Sequence, residues 1–355
     1  MAEATHKVVV ALSGGVDSAV AAALLCEAGY AVHGVFLRMH EAAGEGADPA
    51  ADARRVTEAL GIGFDVVDAG EAFGRVVDYF AAEYAAGRTP NPCARCNVWV
   101  KFPTLLSVAD RLGVRLVATG HYARRAQRDS AAALARGRCR HKDQSYALFA
   151  LPPAALERLV LPVGELSGKD ETRRIARRLG LPASDRPESQ DVCFIPDSDY
   201  RAYLARRAGQ AAVRHDTALA PGPIEDMSGA VLGTHDGYAH FTVGQRRGLG
   251  VAASEPLYVT RIDPDRRAVV VAPRDGAASR TLTAGGACWQ QDVPERFDAT
   301  VQVRYNHLGA PARVRRIGDE TFDVRFDEPV HAPAPGQAAV CYDGDVLLGG
   351  GWIEA

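Results

Sequence analysis

The eight residues Ala11, Leu12, Ser13, Gly14, Gly15, Val16, Asp17 and Ser18 constrain this chain more than any others. They follow an apolar run at 8–12 and lead into an amphipathic stretch at 18–28, so they form the turn between a strand and a helix. The lysine of a G-x-x-x-x-G-K-[ST] loop is missing. Two glycines instead let the backbone approach a ligand closely, and Ser13 and Ser18 offer hydroxyls. The helix that follows turns free amides and its positive end toward an anion. Asp17 can hold Mg²⁺ or position a phosphate through it. The arrangement reads as a pyrophosphate cradle, with a plain Gly-rich turn and helix cap as the competing reading.

Around that loop, short apolar runs alternate with longer amphipathic stretches from residue 7 to about 200. Strands are expected at 8–12, 31–37, 64–67 and 116–119, and helices at 18–28, 50–60, 75–86 and 98–112. The pattern calls for an α/β domain with a doubly wound parallel sheet, whose ligands sit beyond the carboxyl ends of the strands. A chain of 355 residues exceeds what one core usually organises. After Tyr200 the texture changes: Pro221, Gly222 and Pro223 punctuate a loop, and short strand-like runs continue to 271. From about 280, Val301, Val303 and Tyr305 alternate with Gln302 and Arg304, as do Phe322, Val324 and Phe326 with Asp323 and Arg325. The expected units are 1–204 (α/β), 205–273 (small and β-rich) and 274–355 (an antiparallel β-barrel).

Seven cysteines, an odd number without a secretory signal, argue for reduced thiols used in chemistry or metal binding. The longest apolar run, 19–26, falls short of the roughly 20 residues a membrane span needs, and the polar first seven residues leave no room for a signal peptide. A cytoplasmic protein is expected. The net charge of -3 gives no overall basic signature, so any nucleic-acid surface must be local.

Two of the thiols lie in Asn91-Pro92-Cys93-Ala94-Arg95-Cys96-Asn97, where proximity to a helix N-terminus and to Arg95 should favour ionisation. Such thiols serve as nucleophiles or metal ligands. A structural zinc would need another ligand pair, and Cys139 and His141 lie far along the chain. Cys193, within Ser189-Gln190-Asp191-Val192-Cys193-Phe194-Ile195, reads by itself as a buried thiol. Gly120 and His121 close the strand at 116–119, and Lys142-Asp143-Gln144-Ser145-Tyr146 follows a basic stretch.

The loop at 11–18 resembles that of the N-type ATP pyrophosphatases, which are adenine nucleotide hydrolase-like. The ordered set of motifs resembles the bacterial tRNA 2-thiouridylases over nearly the whole chain. Residues Phe241 to Leu249, Arg304-Tyr305 and Pro335-Gly336-Gln337 fit the same family. The resemblance implies ATP at Ala11 to Ser18, with Leu37 and Gly120 on the adenine side and Mg²⁺ through Asp17. It implies tRNA contacts at His121, Lys142, Asp143, Gln144, Arg304, Tyr305 and Gln337. Cys193 would carry a persulfide and Cys96 would be the nucleophile, the two ending each cycle as a disulfide. An upstream sulfur donor (a cysteine desulfurase or sulfur-relay protein), a disulfide reductant and the tRNAs for Lys, Glu and Gln are the implied partners.

Some members of that family have Asp where this chain has Cys93, so Cys93 is an accessory thiol of open role. Cys93, Cys96 and Cys193 together could alternatively bind an iron-sulfur cluster. The helix with Arg173, Arg174, Arg177 and Arg178 is a further basic candidate surface or a solvated face. Two rivals use the same features differently: an amide-forming ATP pyrophosphatase acting on a small molecule, and a zinc-stabilised RNA-binding protein. The first leaves the thiols and the barrel without a role.

Overall fold

Val8, Val9 and Val10, all fully buried, make β1 (Lys7–Ala11) the centre of a parallel sheet. The computed structural model describes residues 6–40, 48–182, 192–195, 199–208 and 217–354. After β1 come α1 (Val16–Glu27), β2 (Ala31–Arg38), α2 (Ala51–Leu60), β3 (Gly63–Asp68) and α3 (Gly70–Ala85). Next are α4 (Pro92–Cys96), a π-helical turn (Asn97–Lys101), α5 (Phe102–Arg111) and β4 (Leu116–Ala118). A hairpin of β5 (Ala123–Arg128) and β6 (Ala131–Arg136) precedes α6 (Pro153–Leu156), β7 (Leu159–Val160) and α7 (Lys169–Arg178). The sheet order is β3-β2-β1-β4-β7, all parallel. The order reverses between β1 and β4, and that crevice is where doubly wound sheets bind ligands. Strands buried on both faces read as continuous apolar runs, which is why 8–12 was legible without alternation.

The helix expected at 98–112 is a different object. The Asn91 side chain accepts a bond from the Ala94 amide (3.1 Å) and Pro92 occupies the first turn, so helix starts before Cys93. It then widens into the π turn before α5. The β5–β6 hairpin and β7 were not anticipated, because the hairpin is short and rich in Arg and its outer partner lies far along the chain.

After α8 (Tyr200–Ala208), strands β8 (Gly222–Glu225), β9 (Val231–His235), β10 (Leu257–Asp263) and β11 (Ala268–Pro273) form a small sheet ordered β10-β11-β8-β9. Its core is continuous with α3 through Phe80 and Tyr84. The last strands are β12 (Ala278–Trp289), β13 (Arg296–Gln302), β14 (Ala310–Ile317), β15 (Thr321–His331), β16 (Ala338–Asp343) and β17 (Val346–Ile353). They are antiparallel and close into a barrel because β12 pairs with both β15 and β17. Phe322, Val324 and Phe326 fill it as their alternation requires. Tyr305 does not continue that pattern: β13 ends at Gln302, and Tyr305 is an exposed loop residue.

The barrel is not a separate body. Strand β6 pairs with β17 at Ala135↔Val346, and Arg124 of β5 forms an ion pair with Asp345 at 2.7 Å. Among the described residues no helix is long and apolar enough to cross a membrane.

Candidate active site

The turn after β1 is held by its own serines. The Ser13 amide donates to Ser18 Oγ (3.2 Å), the two hydroxyls lie 3.2 Å apart, and Ser18 donates to the Gly15 carbonyl (3.0 Å). These bonds within the turn set its shape, and α1 starts directly behind it with Asp17 in its first turn. Gly120, just past β4, closes the other wall. A Cβ there would lie 2.7 Å from the Ser18 nitrogen, so only glycine lets β4 come this close.

Asp17 is taken up by two groups. Lys169, at the start of α7, forms an ion pair with it, and Tyr122 donates to it at 2.9 Å. Tyr122 in turn lies 2.6 Å from the Thr172 hydroxyl. A cation thus stands beside the anion cradle, supplied not by the loop but by α7. Sequence reasoning missed Lys169 and Thr172. The only local signal was Ser167-Gly168-Lys169-Asp170-Glu171-Thr172, a polar helix start. Leu37 turns into the core with Val9 and Val35.

The thiols gather near the same crevice. Cys96 is buried and donates to Met39 Sδ at 3.8 Å, just beyond β2. Cys193 is exposed, and its neighbour Phe194 anchors the segment by packing on Phe73 and Phe80 of α3 (centroids 5.6 and 5.3 Å). The flanking Ser189, Gln190 and Asp191 lie outside the described residues. Lys101, at the end of the π turn, acts electrostatically on Cys93, Cys96, Cys193 and His121 at once.

The expected easy ionisation of the thiols is overturned. Desolvation by the surrounding protein raises all three, although Cys93 and Cys193 keep exposed surface, and pushes the buried Cys96 up to about 11, with Lys101 opposing it in each case. Desolvation outweighs the helix terminus here, because the first turn is enclosed, with Pro92, Ala94 and Cys96 buried. His121 is driven the other way, to about 3, by burial and then by the Lys101 charge. It stays neutral, bonded to Thr119 Oγ1 (2.7 Å) and stacked on Phe102.

Among the described residues no three His, Cys, Asp or Glu side chains are grouped to hold a metal ion. Cys93, Cys96 and Cys193 therefore do not fit an iron-sulfur cluster in this arrangement, and Cys139 and His141 do not build a zinc site. All of these cysteines are free thiols, so the Cys96–Cys193 disulfide is not formed in this state.

The residues expected to meet RNA divide into two groups. Tyr305 is exposed, Lys142 is half-buried, and Arg304 donates to the His331 carbonyl at 2.7 Å. Gln144 accepts from the Tyr122 amide (2.9 Å), beside His121. Asp143, by contrast, is buried: it pairs with Arg136 and accepts from the Gly137 amide and the Ser145 hydroxyl. Gln337 donates to the carbonyls of Thr89 and Pro90. On α7, Arg177 is exposed and Arg178 pairs with Glu27.

Residues 6–197 match the family described as tRNA methyl transferase HUP domain, 210–273 its PRC-barrel domain, and 279–353 the aminomethyltransferase β-barrel domain. The tRNA-specific 2-thiouridylase MnmA of Carboxydothermus hydrogenoformans is 46% identical, the alignment covering 98% of this chain and 97% of that protein. The proteins of the same name from Acidithiobacillus ferrooxidans (46%; 99% of each chain) and Syntrophotalea carbinolica (47%; 99% and 100%) are equally similar.

Proposed function

The chain belongs to the tRNA-specific 2-thiouridylase family, and from that premise we propose how its residues share the work. The protein is an ATP-dependent tRNA uridine 2-sulfurtransferase: it activates the O2 of a wobble uridine by adenylation and replaces it with sulfur. What supports the assignment of residues is that the cradle and Lys169 lie beyond β1 and Cys96 meets Met39 just beyond the neighbouring β2, with Cys193 in electrostatic reach of Cys96.

The amides of residues 13–18 and the Lys169 ammonium receive the phosphates of ATP, with Leu37 and Gly120 on the adenine side, and stabilise the departing pyrophosphate. Mg²⁺ accompanies the nucleotide and neutralises phosphate charge; Asp17, already paired with Lys169, offers it at most one protein ligand. The target base leaves its stack to reach the crevice, where neutral His121, Lys142 and Gln144 meet the RNA, with Arg304 and Tyr305 on the barrel.

Cys193, an exposed thiol, carries the persulfide. Its terminal sulfur attacks C2, AMP leaves with the former O2, and a C2–S–S–Cys193 bridge remains. The Cys96 thiolate then attacks the Cys193 sulfur, releasing 2-thiouridine and leaving a Cys96–Cys193 disulfide. Alternatively Cys96 attacks the persulfide first and frees hydrosulfide, with the same final oxidation state. Cys93 is an accessory thiol whose ionisation Lys101 also favours. The reading requires a persulfide-delivering donor and a dithiol reductant, places the protein in the cytoplasm with tRNAs for Lys, Glu and Gln as substrates, and assigns nucleotide chemistry to 1–204, a connecting role to 205–273 and RNA contact to 274–355.

Nucleoside mass spectrometry of unmodified tRNA incubated with protein, ATP, Mg²⁺ and a persulfide donor tests this. ATP-dependent 2-thiouridine from wild type, absent with Cys96→Ser and with Cys193→Ser, is expected. ATP cleavage to AMP without any thiolated nucleoside would instead favour a small-molecule substrate.

A further inference from the structure

The segment that presents Cys96 is gripped by the C-terminal barrel at two points. Just upstream of α4, the Thr89 amide donates to the Pro335 carbonyl (2.8 Å), while Gln337 Nε2 donates to the carbonyls of Thr89 (3.2 Å) and Pro90 (3.0 Å). The fit is tight: a Cβ on Gly336, whose φ is +88°, would come within 2.8 Å of the Thr89 oxygen. Inside α4, the Arg95 guanidinium, one residue before Cys96, stacks on the Trp352 ring of β17 at 3.7 Å, with Trp99 completing the cage at 4.9 Å. Tyr79 of α3 holds the same guanidinium from another side, through a side-chain hydrogen bond and a ring face at 5.2 Å.

We propose that Gln337 and Trp352 are positioning residues for Cys96: the barrel fixes the segment that enters the thiol-bearing helical turn, and Arg95 within it, in the reactive orientation. The thiols lie in the first turn of a helical stretch that runs on through the π turn into α5, and a first turn is held mainly by what it packs on and by the chain that enters it. α3 and the turn at Ser145–Leu148 pack on that first turn, and the barrel holds the entering segment at Thr89 and Pro90 and the Arg95 side chain. The proposal rests on the sulfur-transfer reading for its consequence in turnover, but not for the geometry it asserts.

The test uses the full-length protein without tRNA or ATP. Iodoacetamide labelling is followed by tryptic mass spectrometry, since cleavage after Arg95 puts Cys93 and Cys96 in separate peptides. Gln337→Ala and Trp352→Leu should speed Cys96 labelling severalfold and leave Cys193, the internal reference, unchanged; Trp352→Phe, which keeps an aromatic face, should restore the wild-type rate. In thiolation assays with wild-type tRNA, Gln337→Ala should lower kcat by on the order of tenfold or more with KM for tRNA unaltered. Unchanged labelling together with a raised KM for tRNA would overturn the proposal and make Gln337 an RNA contact. Because labelling is read without substrates, a wild-type protein that makes no 2-thiouridine would sink the functional reading while the labelling rates still decide the positioning.

Discussion

Lys169 and Asp17, 152 residues apart in sequence, meet as an ion pair at the mouth of the anion cradle. Both are largely shielded, and Tyr122 holds the same carboxylate from the other side. An ammonium so placed neutralises Asp17 until phosphates arrive and then has a second anion to serve. Lys169→Met should therefore reduce AMP formation from ATP by on the order of 10²-fold, the scale of losing one charged transition-state partner. Thermal unfolding should change little by comparison. AMP formation at the wild-type rate would show Lys169 to be a structural partner of Asp17 alone.

The buried Cys96 thiol sets a pH dependence. Cys96 is pushed up to about 11, so at neutral pH almost all of it is thiol, and the reactive thiolate grows with rising pH. Its alkylation rate should climb about tenfold per pH unit from 7 towards 10. Lys101 favours the thiolate, so Lys101→Met should slow labelling at pH 8. A plateau below pH 9 would contradict the raised value.

Acid should weaken the fold through two histidines. His121 is held at about 3 and His307 at about 4, both chiefly by burial, against an ordinary value of 6.5. Each is neutral in the native protein and takes up a proton on unfolding. Their contribution is full above about pH 6.5 and is lost as pH falls toward 4 and then 3. The melting temperature should drop by several degrees between pH 7 and 5, with a shallower drop in His121→Asn. An identical profile in that variant would remove His121 from the account.

Asp143 yields a different kind of test. With Arg136 it forms a buried ion pair, to which Gln302 adds a bond to Arg136 at 2.7 Å and Tyr342 a ring face at 3.6 Å. Arg136→Met leaves a buried carboxylate without its counter-charge, which costs about 3 kcal/mol or more. Urea titration should register that loss. If Asp143 instead serves RNA directly, Asp143→Asn would weaken tRNA binding and leave the urea midpoint in place.

What could be read from the sequence was local. Ser13 to Ser18 announce their turn because the strand, the glycines and the helix are contiguous, and Phe322, Val324 and Phe326 declare a barrel face by period two. Lys169 could not be assigned to Asp17, nor Gln337 to Thr89, because no spacing encodes a contact made only by the folded chain. The ionisation of Cys93 and Cys96 was misjudged for the same reason. Sequence shows the helix start and Arg95, but desolvation by Met39 and the surrounding core is a property of packing. The π turn at Asn97–Lys101 escaped because one residue of extra width barely disturbs a helical apolar pattern.

The pairing of β6 with β17 also fixes an order of events at the ribosome. Ala135 emerges roughly 200 residues before Val346, so at typical synthesis rates the hairpin waits about 10 to 40 s for its neighbour. During that interval the edge of β6 that β17 will take is open. Only when β17 arrives is the seam closed, so the nascent protein acquires its finished thiol site after β17 has been made, not when the nucleotide-binding half is complete.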